Sequence, residues 1–320
     1  MPLLSFTWNP DSILLHLGFK QIRYYSLCWI LAFVLGWVLM KRIFQHENKS
    51  LEKLDSLFLY AIVSIMLGAR LGHVFFYDWA YYQNHLIEIL LPIRESSNAS
   101  LFGIINGYKF TGFSGLASHG AALAALAGMW LYCKKWKDIK PLWLLDRVVI
   151  TCALGAALIR LGNFFNSEIN GKIVDKSYLF ATRFVRDTDD MPAYKAITLT
   201  GESTESAAYK ALEHNPTFAP VLQAIPFRHP AQLYEAVSYL LVFVTLYLLY
   251  WKTPKKHQPG YLFGLFMVLV WAIRFGVEYV KKSQGGFETA LGLLSTGQWL
   301  SLPMIALGLY SMLKPAPKTT

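Results

Sequence analysis

The sequence predicts an all-α polytopic membrane protein of about seven transmembrane helices, with a small extracytoplasmic head and an interfacial arm. Three observations predict it. Hydrophobic residues make up 54% of the 320 residues and charged residues only 16%, and the mean hydropathy is +0.35. Apolar windows of ~20 residues, the length that crosses a bilayer, recur along the chain. Lysines and arginines gather in alternate short loops, which gives every window one consistent orientation.

Residues 1–320 read as a single integral membrane domain. The first window, 24–40, is followed by Lys41, Arg42, Lys49 and Lys53, and the second covers 56–77. The connection 78–112 carries an apolar stretch, 85–93, that ends near Arg94. It is expected to lie in the interface as an amphipathic helix. The third window, 113–133, precedes Lys134, Lys135, Lys137 and Lys140, and the fourth covers 141–164. Residues 166–228 form the only long segment of mixed polarity, with strand-like and helix-like patches, and read as the head, inserted between spans 4 and 5. The fifth window, 230–251, opens on Pro230, a residue suited to a first helical turn, and precedes Lys252, Lys255 and Lys256. The sixth and seventh cover 260–280 and 298–313, with Lys314 and Lys318 beyond.

These basic clusters all follow odd-numbered spans, so they share one side. The positive-inside rule makes that side cytoplasmic, with the N-terminus outside and the C-terminus inside. The first apolar run starts late and precedes a basic segment, so no cleavable signal peptide is expected. The net charge of +10 belongs to these loops. No Lys/Arg-rich run is interleaved with aromatics, which argues against nucleic acid as a partner. Cys28, Cys133 and Cys152 stand at unrelated spacings and read as buried thiols. His73, His119 and His229 show no repeated ligand spacing, so no metal is implied.

The polar residues inside the spans fall at one depth. Tyr24 and Tyr25 open span 1, and Arg70 and His73 lie in the outer half of span 2. His119 lies in the outer half of span 3, and Arg160 and Asn163 end span 4 at i, i+3, on one face. Gln232 and Glu235 begin span 5, and Arg274 and Glu278 sit at i, i+4 in span 6. Arginine costs ~2.5–3.5 kcal/mol on insertion scales and faces a bundle interior or polar cavity. Each residue alone has a plainer reading. A lone arginine near a helix end, as Arg70, Arg160 and Arg274 are, snorkels to the headgroups, Arg274 and Glu278 form a structural ion pair, and His119 is a hydrogen-bonded bundle histidine. Tyr24 and Tyr25 anchor an aromatic belt, and Asp146 and Arg147 take an interface or packing role. Independent snorkelling does not require arginine, histidine, glutamate and amides to converge. The convergence points to a site for an anion.

The strings that carry these residues also resemble a known family. Residues 160–171, Arg-Leu-Gly-Asn-Phe-Phe-Asn-Ser-Glu-Ile-Asn-Gly, look like the signature of prolipoprotein diacylglyceryl transferase. Further matching segments follow in order at 22–25, 68–72, 115–120, 228–235, 274–278 and 295–303, so the resemblance covers nearly the whole chain. Ala121 and Ile159 stand where glycines are usual, and the stretch between Tyr178 and Pro226 is longer than usual. Lys281 stands where arginine is usual, and lysine lacks arginine's bidentate fork.

The resemblance implies a transferase of the bacterial inner membrane, acting in lipoprotein biosynthesis with its site towards the outer leaflet. It would transfer a diacylglyceryl group from phosphatidylglycerol to the lipobox cysteine thiol in a prolipoprotein signal peptide, forming a thioether and releasing glycerol phosphate. Such a substitution needs a thiolate, and a free cysteine has a pKa of ~8.5, so a base or positive field must supply the anion. The leaving phosphate calls for preorganised cations. On this resemblance Arg160 and Arg274 bind the phosphate, Asn163 and Asn166 orient it, and His119 is the base. Glu278 holds Arg274, Glu168, Gln232 and Glu235 complete the polar surroundings, and Tyr25 contacts the headgroup. No cofactor is implied. Two rival readings are a lipid transporter or flippase and a non-catalytic lipid-binding protein. The first expects charge deep in the bilayer and two related halves, and neither is evident in the sequence.

Overall fold

Seven helices coincide with the apolar windows in the computed structural model, which describes residues 5–17, 20–101, 104–111, 115–282 and 293–314. They are α1 (Tyr24–His46), α2 (Leu51–Phe76), α5 (Ser118–Lys135), α6 (Pro141–Phe165), α10 (Ala231–Lys252), α11 (Tyr261–Val277) and α12 (Thr296–Leu313). Four of them, α1, α2, α6 and α10, are long and apolar enough to cross a membrane. Helix α11 is apolar but has 17 residues, a rise of about 26 Å. An apolar run becomes helix because each backbone polar group then finds a partner within its own segment. Residues 113 and 318, named in the sequence reading, lie outside the described residues.

The chain is mostly helical, and its connections carry short strands: those at Thr182–Phe184 and Phe227–Arg228 fall in the segment with strand-like patches, and the others lie outside the all-α expectation. The described residues fall into two compact units.

One unit is Lys41–Leu144. Here α2 and α5 approach through small residues. A Cβ on Gly120 would lie 2.8 Å from the Gly72 Cα, and one on Gly128 would lie 2.7 Å from the Ser64 Cβ. Gly68 and Gly72 stand four apart, the spacing that lets two helix backbones come close in lipid. The connection after α2 holds two one-turn helices, α3 (Trp79–Tyr82) and α4 (Ile87–Leu90). An antiparallel hairpin follows, β4 (Ile93–Leu101) with β5 (Ile105–Phe110). The amphipathic helix expected over 85–93 is therefore corrected to one turn. Leu91 is extended at φ −101, ψ 141, as the residue before a proline prefers, and Pro92 stops the helix. Arg70 donates to the carbonyls of Glu88 (2.5 Å) and Ile89 (2.9 Å) and packs on the Tyr82 ring. It satisfies the last carbonyls of α4, a structural role.

The other unit is Met1–Met40 with Leu145–Thr320. Its insertion between α6 and α10 holds β6 (Thr182–Phe184), α7 (Ala193–Thr200), α8 (Glu205–His214), α9 (Ala219–Ala224) and β7 (Phe227–Arg228). A separate core of Val185, Met191, Ala196, Ala208, Tyr209, Leu212 and Ile225 supports it. The insertion is completed from the N-terminal region. Strand β1 (Phe6–Trp8) pairs in parallel with β6, which pairs antiparallel with β7. The Trp8 indole donates to the Phe164 carbonyl at 2.9 Å and stacks on that residue's ring. A hairpin of β2 (Ile13–Leu17) and β3 (Lys20–Arg23) leads into α1.

The N-terminus of α11 is capped from α6. Asp146, fully buried, accepts from the backbone N–H groups of Gly260 (2.7 Å) and Phe263 (2.9 Å). Its neighbour Arg147 donates to the Lys256 carbonyl. The cap position Gly260 has no side chain to do this work, so Asp146 caps the helix in its place. Of the three cysteines, Cys28 and Cys133 are buried, and Cys152 lies on the outer face of α6 within its apolar run.

Candidate functional site

The end of α6 turns out of the helix through two backbone bonds. Ser167 donates to the Phe164 carbonyl (3.0 Å) and Glu168 to the Asn163 carbonyl (3.0 Å), the paired pattern of a Schellman ending. That ending places its C′ residue in the left-handed region, usually a glycine. Here it is Ser167, at φ 55, and Ile169 follows at φ 59. A β-branched residue in that region is strained by roughly 1–3 kcal/mol, and such strain gathers at functional sites. Glu168 lies between the two.

The bent segment collects most of the expected residues. Asn166 and Asn163 donate to the two oxygens of Glu168 at 2.9 and 3.3 Å. Gln232, in the first turn of α10, donates to the Glu168 carbonyl (2.5 Å) and to the Asn170 Oδ1 (2.6 Å). One turn on, Glu235 is 1% exposed and its Oε2 lies 2.9 Å from the Arg160 Nε. Tyr239 donates to the other oxygen at 3.4 Å. Tyr25 packs against α6 at Gly162, where a Cβ would lie 2.9 Å from its ring. Gly162 thus brings that tyrosine beside the turn that bears Arg160 and Asn163.

Gly171 joins this segment to the end of α11. It donates to the His229 carbonyl (2.9 Å) and forms a bridge to Lys281, and Lys172 donates to the Val280 carbonyl (2.7 Å). A Cβ on Gly171 would lie 2.5 Å from the His229 Cβ and 2.8 Å from the Val280 carbonyl. Only glycine passes between these backbones. The clamp draws in Lys281, which the sequence reading noted only as a departure from arginine. Lys281 is 5% exposed. Burial pushes its ammonium below the ordinary lysine range; Arg160 and Arg274 push the same way, and Glu235 and Glu278 oppose them. All four groups therefore act on Lys281.

Arg274 and Glu278 do not meet each other in an ion pair, contrary to the role expected for Glu278. The Arg274 guanidinium lies over the Trp271 ring, and its Nε is buried without a hydrogen-bond partner. Such orphans are concentrated here. Among the described residues eight buried side-chain atoms lack a hydrogen bond. Six of them belong to Asn166, Ser167, Gln232, Glu235, Arg274 and Glu278. Buried polar groups are normally satisfied, so a cluster of exceptions marks a place built to receive a polar ligand or water. Arg160, Arg274 and Lys281 stand there beside Glu168, Glu235 and Glu278, and Arg274, whose Nε has no hydrogen-bond partner, is the donor suited to an anion.

His119 belongs to the other compact unit. It stands in the first turn of α5, with its side chain exposed and Gly120 beside it against α2. Ser167, Lys281 and Gly171 were missed as site residues because their roles come from backbone conformation and long-range contacts. Ser167 and Gly171 left a signal as members of the 160–171 string, and Lys281 as the lysine where arginine is usual.

Comparison with known proteins agrees with the resemblance. Residues 12–314 match the prolipoprotein diacylglyceryl transferase family. A Tolumonas auensis protein is 36% identical over 309 residues, covering 97% of each chain. A Bacteroides fragilis protein is 35% identical over 312 residues, covering 97% of this chain and 95% of the relative. A Neisseria meningitidis protein is 32% identical over 313 residues, covering 95% of both. All three are named phosphatidylglycerol–prolipoprotein diacylglyceryl transferase.

Proposed function

Because the chain belongs to the prolipoprotein diacylglyceryl transferase family, we propose that it carries out the reaction for which that family is named. It transfers the diacylglyceryl group of phosphatidylglycerol to the lipobox cysteine of a prolipoprotein. A carbon–sulfur bond forms at a glycerol carbon as that carbon's bond to phosphate oxygen breaks. The thiol proton passes to a base, and glycerol phosphate leaves with the bonding electrons.

The observation that carries this reading is the cluster of unsatisfied buried groups around Arg160 and Arg274. The two arginines hold the phosphate, where preorganised donors are most valuable as charge develops on the leaving group. Asn163 and Asn166 orient it, with Glu168, Gln232 and Glu235 fixing their positions. Tyr25 contacts the headgroup. His119 takes the thiol proton. All seven helices cross the bacterial inner membrane, with the basic loops cytoplasmic, the C-terminus inside, and residues 166–228 forming an extracytoplasmic head. The site then faces the outer leaflet, where phosphatidylglycerol and the signal peptide both reach it.

The decisive experiment incubates purified protein with phosphatidylglycerol vesicles and a lipobox peptide. The expected product is the peptide heavier by one diacylglyceryl group on its cysteine. No mass gain, with lipid moved between leaflets instead, would establish the transporter reading. Replacing His119 by glutamine is expected to lower transfer by ~10²–10⁴-fold and to remove the acidic limb of the activity–pH profile. A profile identical to that of the unmodified protein eliminates His119 as the base.

A further inference from the structure

Helix α12 begins with a self-contained cap. Ser295 Oγ accepts from the Gln298 N–H at 3.2 Å, and Gln298 Oε1 accepts from the Ser295 N–H at 3.0 Å. This reciprocal arrangement fixes the first turn without help from residue 297. Gln298 also donates to the Phe275 carbonyl, which ties the turn to α11. Gly297 is buried in that turn. A Cβ placed on it would lie 2.6 Å from the Glu278 Cδ and 2.7 Å from its Oε2. The carboxylate of Glu278 therefore occupies the space where any other residue would carry its side chain.

The location also suits a carboxylate electrically. The first turn of an α-helix presents positive partial charge, and α12 is 18 residues long. Glu278 Oε2 is buried there without a hydrogen-bond partner. Its charge acts on Lys281, together with those of Glu235, Arg160 and Arg274. Held at α12, Glu278 makes no ion pair with Arg274, one turn before it, and that guanidinium lies over the Trp271 ring with no carboxylate partner among the described residues.

We propose that Gly297 is a positioning residue for the transfer reaction: its missing side chain seats the Glu278 carboxylate on the first turn of α12, which leaves Arg274 open to the lipid phosphate. The proposal rests on the transferase reading given above. A structural role and a positioning role predict opposite results. Alanine is the better helix former, and the atoms it would meet are the tip of a flexible side chain. A purely structural Gly297 therefore tolerates alanine, whereas a positioning Gly297 does not.

The test measures transfer to a lipobox peptide, KM for phosphatidylglycerol and the melting temperature on the full-length protein. Gly297→Ala is expected to lower kcat/KM by roughly 10- to 100-fold, the scale of a misplaced group at a reacting centre, with an unchanged or higher melting temperature. Glu278→Asp shortens the acid by one methylene and makes room for the methyl. In the Gly297→Ala background it is expected to restore part of the lost activity, although Glu278→Asp alone lowers it. Activity of Gly297→Ala within twofold of the unmodified protein overturns the proposal. So does a double variant no better than the product of the two single effects. If Gly297→Ala fails to accumulate, Gly297→Ala with Glu278→Ala should accumulate, and continued failure also overturns it. An unmodified protein that transfers nothing would instead sink the transferase reading.

Discussion

Replacing Arg274 by alanine is expected to lower diacylglyceryl transfer by about 10²–10³-fold, the usual effect of deleting one preorganised donor at a developing charge. The melting temperature should stay close to that of the unmodified protein. The reason is the state of the side chain. Its Nε is buried without a hydrogen bond, and the guanidinium makes no ion pair among the described residues. Deleting it therefore strands no carboxylate, and it relieves Lys281 of one like charge. Arg274→Lys keeps the charge but loses the planar fork, so its transfer rate should fall between those two. Transfer and thermal unfolding measured in one detergent preparation check both halves. Near-normal transfer by Arg274→Ala removes it from the phosphate site.

Arg160→Ala should behave differently, although both arginines are assigned to the same phosphate. Transfer is again lost, but stability falls too. Arg160 Nε lies 2.9 Å from Glu235 Oε2, and Glu235 is 1% exposed. Removing one partner of a buried pair leaves an uncompensated charge and costs about 3–5 kcal/mol. The protein should still insert, since the apolar helices are unchanged. Adding Glu235→Gln removes the stranded charge, so the double variant should regain most of the melting temperature and none of the activity. If stability and activity recover together, Arg160 is a structural partner of Glu235 and does not bind phosphate.

This difference between two arginines was not visible in the sequence. The windows over 24–40, 141–164 and 230–251 stood out because a long apolar run has one favourable conformation in lipid. Arg160 followed from the second of these, and Arg274 from the window over 260–280. The pairing of Arg160 with Glu235 joins α6 to α10 across the whole insertion, and no local pattern encodes such a distance. The misreading of 85–93 has a local cause. Hydrophobic periodicity was weighed there, whereas Pro92 and the extended preference of Leu91 decide the outcome. Strand β1 is three residues long, too short to carry an alternation, and it exists because β6 supplies its partner. Gly297 was legible only as a letter in a matching string, since the carboxylate it accommodates comes from another helix.

The pairing of β1 with β6 also sets an order of events during synthesis. Phe6–Trp8 leaves the ribosome before its partner Thr182–Phe184, which follows only after α1, α2, α5 and α6 have been made. At ~5–20 residues per second that interval is on the order of ten seconds or more. Until it ends, the sheet cannot form, and the Trp8 indole lacks the paired strand that holds it against the Phe164 carbonyl at the end of α6. A nascent chain halted before Phe184 would contain the local turn after Phe164 but not the sheet that brings Trp8 against the end of α6.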